Sequence, residues 1–463
     1  MECREVLYSE LDFTQRMDSE YYKKIYTEYE DKLFLQANDK LKNKASFLIG
    51  PFGSAYDTSN YTEVPVYRYV RGQDVKPFVL KDIEPRYMTK EDYERLKKYA
   101  LKPKDILVSV VGTLGNACIV KDCDVPAIFS CKSTVIRAEE INPYYLVAYL
   151  NSKYGRTLLL RNERGAIQKG LNLDDLKELD IPLFSNDFYM QVQNLLISAD
   201  TCLEQAKMLY IEAETTLEKE LGFDSYVEPK EICSIKSFSE AFGKSGRLDA
   251  EYYQEKFDVL FERLAKYNTK RLVDIVNISK SIEPGSDYYT DEGIPFIRVS
   301  DLSKYGVSEP AIHLLKGTDN SLGIPYPKKD TILLSKDGSV GIAYKLEKDA
   351  DFVTSGALLH LTLKKDADVL PDYLTLVLNS KIVQMQAERD AGGSIIQHWK
   401  PSEIKNVVIP VIDMKMQEKI AQQIQLSFSL RTQADKMLND AIRAVEIAVE
   451  SGEKAALNFL ADL

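Results

Sequence analysis

Three short stretches carry residue types that could do chemistry. "NPYY" at Asn142 is close to the Asn-Pro-Pro-aromatic loop with which adenine methyltransferases grip a target amino group. "GTLGNA", Gly112 to Ala117, has two glycines whose backbone N–H groups could cradle a phosphate. Arg68 and Arg298 lie in matching extended stretches and could meet a phosphate or a guanine edge. A second copy of each stretch in the other half of the chain decides among these readings. The copy of "NPYY" is "LPDY", which has no asparagine, and no glycine-rich S-adenosylmethionine loop precedes it, so a methyltransferase site is not expected. "GTLGNA" lacks the Lys-Ser/Thr of a P-loop, and a turn between two strands is the simpler reading. Six cysteines without a CxxC pair and only three histidines argue against a metal site and against a disulfide framework. Reduced thiols fit a cytoplasmic protein.

The duplication behind these comparisons runs through the whole chain. "RMDSEYY" from Arg16 returns as "RLDAEYY" from Arg247. "EVPVYRYVRGQD" returns as "GIPFIRVSD", which sets Pro65 beside Pro295 and Arg68 beside Arg298. "KPKDILVSVVGTLGNA" returns as "YPKKDTILLSKDGSVGIA", keeping Ser109/Ser335, Gly112/Gly338 and Gly115/Gly341. "NPYYLVAYLNSK" matches "LPDYLTLVLNSK", and "GAIQKGLNLDDLKELDIPL" matches "GSIIQHWKPSEIKNVVIPV" at the same offset. Collinear matches of this kind mark two copies of one unit.

The elements that must position these residues are legible from local pattern. "DILVSVV" and "DTILLS" read as strands entering a glycine turn and a second strand. "PYYLVAYLNSK" and "PDYLTLVLNSK" put proline at a helix start, and "LDDLKELDIPL" is a short helix running into an extended "IP". "EYYKKIYTEYE" reads as an amphipathic surface helix. A long helix follows each unit. The first has Val192, Leu195, Ala199, Cys202, Ala206, Leu209 and Ala213 at steps of three and four; the second has Ile420, Ile424, Ala434, Met437, Ala441, Ala444 and Ala448. Such seams suit helix pairing, and Leu195, Ala199, Leu209, Ala213, Ala434 and Ala441 are the expected pairing positions. The expected division is 1–188 for the first domain, 189–234 for the central helix and linker, 235–414 for the second domain and 415–463 for the C-terminal helix. Two similar readers on a stiff spacer suit a linear polymer read twice.

The composition, 44% hydrophobic and 28% charged over 463 residues, is that of a globular chain of several domains, and no apolar run is long enough to span a bilayer. The N-terminal "MECREVLYSELDF" does not read as a signal peptide. The net charge of −11 weighs against simple nucleic-acid binding, which wants a basic face.

The order of these elements resembles the specificity subunit of type I restriction–modification systems. The doubled strand-and-turn, the doubled "PxYLxxxLNSK", the endings in "IP", the paired "R-[ML]-D-[AS]-E-YY" and the helix starts "QVQNLL" and "MQEKIAQQI" carry that resemblance from Arg16 to the C-terminal helix. It implies an α+β fold: two tandem mixed α/β target recognition domains separated by long helices pairing as an antiparallel coiled coil. It also implies a non-catalytic chain without cofactor or metal that reads a bipartite, asymmetric site in double-stranded DNA. Two methyltransferase subunits would dock on the helices, with restriction subunits outside them. Shared positions should then hold the backbone or the scaffold, and divergent loops should read bases. That criterion selects Lys132, Arg164, Gln168 and Lys169 in the first unit, and Lys336, Arg389, Gln397, His398 and Lys400 in the second. The competing readings are a protein-interaction scaffold or acidic DNA mimic, which the negative charge suits, and a hydrolase, for which no doubled catalytic group exists.

Overall fold

A computed structural model describes residues 5–8, 11, 16–81, 84–165, 169–229, 234–393 and 396–463. The chain divides into two compact units, Met1–Leu203 with Thr432–Leu463, and Glu204–Arg431. Each long helix therefore begins in one unit and ends in the other.

In the first unit an antiparallel sheet has the order Ala45–Ile49, Ser133–Ala138, Ile106–Ser109, Ala117–Ile119. Ile106, Leu107 and Val108 form an unbroken apolar run because both faces of this sheet are covered. Ile106 and Val108 join the core around helix Pro143–Asn151, while Leu107 packs with Val70, Phe129 and Val135. A smaller sheet pairs Tyr67–Val70 antiparallel with Arg86–Met88 and parallel with Ala127–Phe129. The second unit repeats the plan: Val276–Lys280, Leu358–Leu363, Ile332–Ser335, Ala343–Lys345 in one sheet, and Ile294–Ile297 parallel to Val353–Thr354 in the other.

The doubled phrases owe their identity to shared joints. In "LNSK", the Asn151 amide donates to the Ala117 carbonyl at 2.8 Å, and Asn379 donates to Ala343 at 2.8 Å, tying helix to sheet in each unit. In "PxYL…IP", the Tyr145 hydroxyl donates to the Pro182 carbonyl at 2.7 Å, and Tyr373 does the same to Pro410 at 2.8 Å. Asn142 is a helix cap: its side chain accepts from the N–H groups of Tyr144 and Tyr145 and donates to Gln193.

The long helices, Asn186–Glu220 and Met414–Ser451, pair with each other in both units. In the second unit the Ser427 hydroxyl donates to the Ala206 carbonyl at 2.7 Å, and in the first Leu438 lines the same hollow as Leu196 and Leu203. Numbers rising on one helix meet numbers falling on the other, which is antiparallel pairing. The buried seam of the first helix is Val192, Leu196, Ala199, Ala206, Tyr210, Ala213 and Leu217; that of the second is Ile420, Ile424, Ser427, Ala434, Ala441, Val445 and Ala448. This is a heptad with one small residue per repeat, which lets the backbones approach closely. Leu195 and Leu209, expected in the seam, are half-buried on its flank, and Leu196 and Tyr210 replace them. Leu195 packs, partly buried, against the core that also holds Leu196 and the seam of the second helix. No helix among the described residues is long and apolar enough to cross a membrane.

His360 lies inside the larger sheet of the second unit, 4% exposed, with Nε2 2.8 Å from the Thr354 hydroxyl. Burial lowers its pKa to about 4. The unfolded chain binds this proton near pH 6.5 and the folded chain does not, so the contribution is complete above pH 6.5 and is lost as pH falls toward 4. Urea unfolding is expected to show the second unit losing up to about 3 kcal/mol across that window. In His360→Gln the part of this slope above pH 5 should vanish.

Candidate nucleic-acid interface

The two glycine turns are built alike. Ser109 Oγ accepts from the Asn116 N–H at 3.1 Å and donates to the Thr113 carbonyl; Ser335 Oγ accepts from Ile342 at 2.8 Å and donates to Ser339 at 2.6 Å. Gly112 and Gly115 sit at φ +88° and +75°, and Gly338 and Gly341 at +73° and +83°, conformations that demand glycine. The serine closes the turn with its own side chain, which makes the doubled S-x-x-G-x-x-G a rigid bracket.

A loop distant in sequence docks on each bracket. In the first unit Gly170 bridges to both Val111 and Arg164, and the Leu171 N–H donates to the Val110 carbonyl at 3.0 Å. In the second, His398 bridges to both Asp337 and Gly392, and the Trp399 N–H donates to the Lys336 carbonyl at 2.8 Å. The bracket and the divergent loop, chosen separately from the sequence, thus form one surface in each unit.

In the second unit this brings Lys336, Gln397 and His398 together. The Gly338 N–H donates to the Gln397 carbonyl at 2.9 Å, Asp337 pairs with the Lys336 ammonium, and His398 Nδ1 lies 2.9 Å from Asp337 Oδ1. Burial raises the Asp337 pKa, but the hydrogen bonds from Lys336 and His398 outweigh it and hold the carboxyl below its ordinary value. His398 stays 61% exposed, and Trp399 beside it is buried. Lys400 is exposed and caps a short helix, its N–H donating to Glu403.

In the first unit Lys132 stands exposed on the turn before strand Ser133–Ala138, and its carbonyl accepts from Val110 at the bracket. Arg164 Nη2 donates to Asp175 at 2.8 Å, and Lys169 pairs with Glu163. Burial pushes the Asp175 carboxyl up against the opposing pull of Arg164. Both cations line a cleft of about 820 Å³ in which Arg16, Lys23 and Arg161 are matched by acids such as Asp18, Glu20 and Asp174. Gln168 lies outside the described residues.

Three expected contacts stand elsewhere. Arg68 is 9% exposed, and its guanidinium donates to the Lys81 carbonyl at 2.6 Å and to Asp124 at 3.3 Å. Its pairing with Arg298 is also displaced. The Ser130 N–H donates to the Val70 carbonyl as the Ser355 N–H does to Ile297, so the counterpart of Arg298 is Arg71. Each of these two opens a turn closed by an aspartate three residues on, Asp74 or Asp301, which accepts from the arginine N–H at 2.8 or 2.9 Å. Arg389 stacks 4.9 Å from the Tyr252 ring and 4.5 Å from Phe261 while donating to Asp390. Its counterpart Arg161 lies 4.1 Å from Tyr21, so the position is shared and the same criterion assigns it to the scaffold.

The repeated "R-x-D-x-E-YY" is the clasp that receives those arginines. Arg16 and Arg247 each form a forked pair with the aspartate two residues on, stack at 4.6 and 4.5 Å on Tyr21 and Tyr252, and accept at their own carbonyl from Tyr22 and Tyr253. Arg247 also donates to the Asp390 carbonyl at 2.9 Å, at the foot of the divergent loop. Motif reading alone left this contact unseen, although the repetition of the phrase pointed to it. Arg247→Lys keeps the charge and loses the fork, so proteolysis between 391 and 398 should become faster at an unchanged melting temperature.

The family model for the type I restriction modification DNA specificity domain matches residues 49–185 and 265–442. The type I restriction enzyme EcoBI specificity subunit of Escherichia coli is 30% identical over 125 residues, which is 26% of this chain and 26% of that protein, so the match spans about a quarter of the curated relative. Among solved structures, the S subunit of a type I system from M. genitalium aligns over 89% of this chain and 95% of that one, with 15% identity and a TM-score of 0.42. The HsdS subunit from Thermoanaerobacter tengcongensis aligns over 90% and 97%, with 14% identity and a TM-score of 0.28. Superpositions at that level add nothing to the assignment. The two family-model regions together cover well over half of the chain, and the protein belongs to the type I restriction–modification DNA specificity family.

Proposed function

We propose that this chain is a non-catalytic specificity subunit that reads a bipartite, asymmetric sequence in double-stranded DNA, one half-site per unit. The carrying observation is that both units build the same serine-closed bracket and dock on it loops of different sequence. A shared frame fixes the position of a reader, and a divergent tip lets two readers choose different bases. Residues 1–188 and 235–414 are the two target recognition domains in this reading, and residues 189–234 and 415–463 form the spacer. Lys132, Arg164, Gln168 and Lys169 act on one half-site, and Lys336, Gln397, His398 and Lys400 on the other. Arg68, Arg298 and Arg389 support the frame. The chain directs two adenine methyltransferase subunits, and restriction subunits with them, to that sequence in the cytoplasm.

Because Arg164 and Lys169 are paired with acids and the whole chain carries −11, the isolated chain binds DNA weakly. The deciding experiment exchanges one unit for that of another family member and maps adenine methylation genome-wide in cells that also hold the methyltransferase. Half of a split motif should change and the other half persist. An unchanged motif, with both proteins folded and present, would leave the scaffold or mimic reading in its place.

A further inference from the structure

The small sheet of each unit ends in the same group of side chains. "YTE" from Tyr61 returns as "YTD" from Tyr289. The Tyr61 ring lies 6.0 Å from Tyr69, and the Tyr289 ring lies 5.5 Å from Phe296. Thr62 bridges to Tyr87 as Thr290 does to His313. Two residues beyond Tyr69 and Phe296 stand Arg71 and Arg298. Burial raises the pKa of both Tyr61 and Tyr289, and the arginine of the same unit pulls against it. Each unit thus sets a tyrosine, an arginine and an aspartate, Asp74 or Asp301, in one arrangement.

That arrangement stands against the bracket. In the first unit the Ser130 N–H donates to the Val70 carbonyl at 2.9 Å, and the Lys132 carbonyl accepts from the Val110 N–H at 2.9 Å. Gly72, next to Arg71, lies so close that a Cβ there would come within 2.8 Å of Lys132 Cβ. In the second unit the Ser355 N–H donates to Ile297 at 2.9 Å, and the Ala357 carbonyl accepts from Lys336 at 3.0 Å. One short turn joins the arginine strand to the bracket in both units. The arginine closes its own turn through the backbone N–H, which leaves the guanidinium spare in the second unit. Asp301 lies 3.9 Å from Arg298 Nε, too far for a hydrogen bond, and the guanidinium makes none among the described residues. The Arg298 side chain is 40% exposed. The acids around it are taken by other donors. Asp301 accepts from the Arg298 N–H and the Ser300 hydroxyl, and Glu283 accepts from the Tyr289 hydroxyl at 3.1 Å and the Gly356 N–H at 2.9 Å. Arg71 is forked on Asp74 at 2.8 and 3.0 Å and remains 20% exposed.

We propose that the guanidinium groups of Arg71 and Arg298 each hold one backbone phosphate of the DNA, beside the bases read at the bracket of the same unit. The inference rests on the DNA reading above and supplies its sequence-independent contact. The turn needs only a backbone N–H and an aspartate, so any residue but proline could open it. Arginine in both copies has another reason, and its planar fork matches two phosphate oxygens. Bases differ between half-sites, whereas the phosphate next to each bracket does not, so its ligand belongs at a shared position. Arg161 and Arg389 are shared too, but rings of the clasp lie over their planes. Arg298 has no such cover from a ring or a carboxylate and is free to meet an anion. Asp74 offsets part of the charge of Arg71, so the second unit makes the stronger contact.

The test uses the chain assembled with its methyltransferase subunits and two duplexes, one carrying the methylated motif and one scrambled, over a salt series. Arg298→Gln should weaken binding to both duplexes by the same factor, about tenfold, and lower the salt slope by about 0.9. The methylated motif should keep both halves, and the melting temperature should not move. Arg298→Lys should restore the slope while recovering only part of the affinity. Arg71→Lys, which keeps a charge beside the buried Asp74, should weaken both duplexes equally and less, at an unchanged slope. Three results would each overturn the proposal. A change in one half of the motif would make Arg298 a reader of bases. A lower melting temperature in both Arg298 variants would make it part of the frame. Affinity and slope equal to wild type would remove the contact. A wild-type complex that methylates no split motif would instead overturn the DNA reading, and this inference with it.

Discussion

Trp399→Ala is expected to lower the stability of the second unit by about 3–5 kcal/mol, read from urea unfolding. This is the only tryptophan in the chain. It is 1% exposed and belongs to the core that also holds Tyr373, Leu376 and Ile404. Alanine would leave a cavity that the surrounding sheet and helices cannot close, because the Trp399 N–H is fixed on the Lys336 carbonyl. Trp399→Phe should cost much less, below about 1.5 kcal/mol, since the indole N–H has no hydrogen-bond partner among the described residues to lose. An equal loss in both variants would mean that this side chain does not anchor the loop by packing.

Replacing Gln397 and His398 together by alanine is expected to relax one half of the methylated motif and leave the other half intact. Each base contact that reads a position is worth about 1–3 kcal/mol, so discrimination at that half-site should fall by tenfold or more. Stability should hardly move, because His398 is largely exposed and its partner Asp337 keeps the Lys336 ammonium. Gly392 and His398 bond through their backbones, which alanine preserves. If both halves of the motif weaken equally, these residues support docking of the complex and read no bases.

Much of the frame was legible in the residue order because duplication doubles the signal. Strand, turn and helix appear where "DILVSVV", "GTLGNA" and "PYYLVAYLNSK" place them, and the helix from Lys24 to Phe34 stands where "EYYKKIYTEYE" suggests it. Arg68 was harder. Two arginines three residues apart compete for one partner in the second half, and only the parallel pairing of Tyr67–Val70 with Ala127–Phe129 selects Arg71. The helix seam carries the same ambiguity, since Leu195 and Leu196 both fit steps of three and four from neighbouring residues. Packing resolves it: Leu196 is buried in the core of the first unit together with residues of the second helix, while Leu195 stays partly buried at its edge.

By itself the sequence determined that there are two copies of one mixed α/β unit, each followed by a long helix with small seam residues, and which loops differ between the copies. Those features rest on local propensity and on repetition, which need no knowledge of distant contacts. Only the tertiary structure decided that Gly170 and His398 close onto brackets about sixty residues earlier and that Arg68 is interior. Each of those outcomes depends on which side chain reaches a space first, and that is settled by packing among residues far apart in the chain.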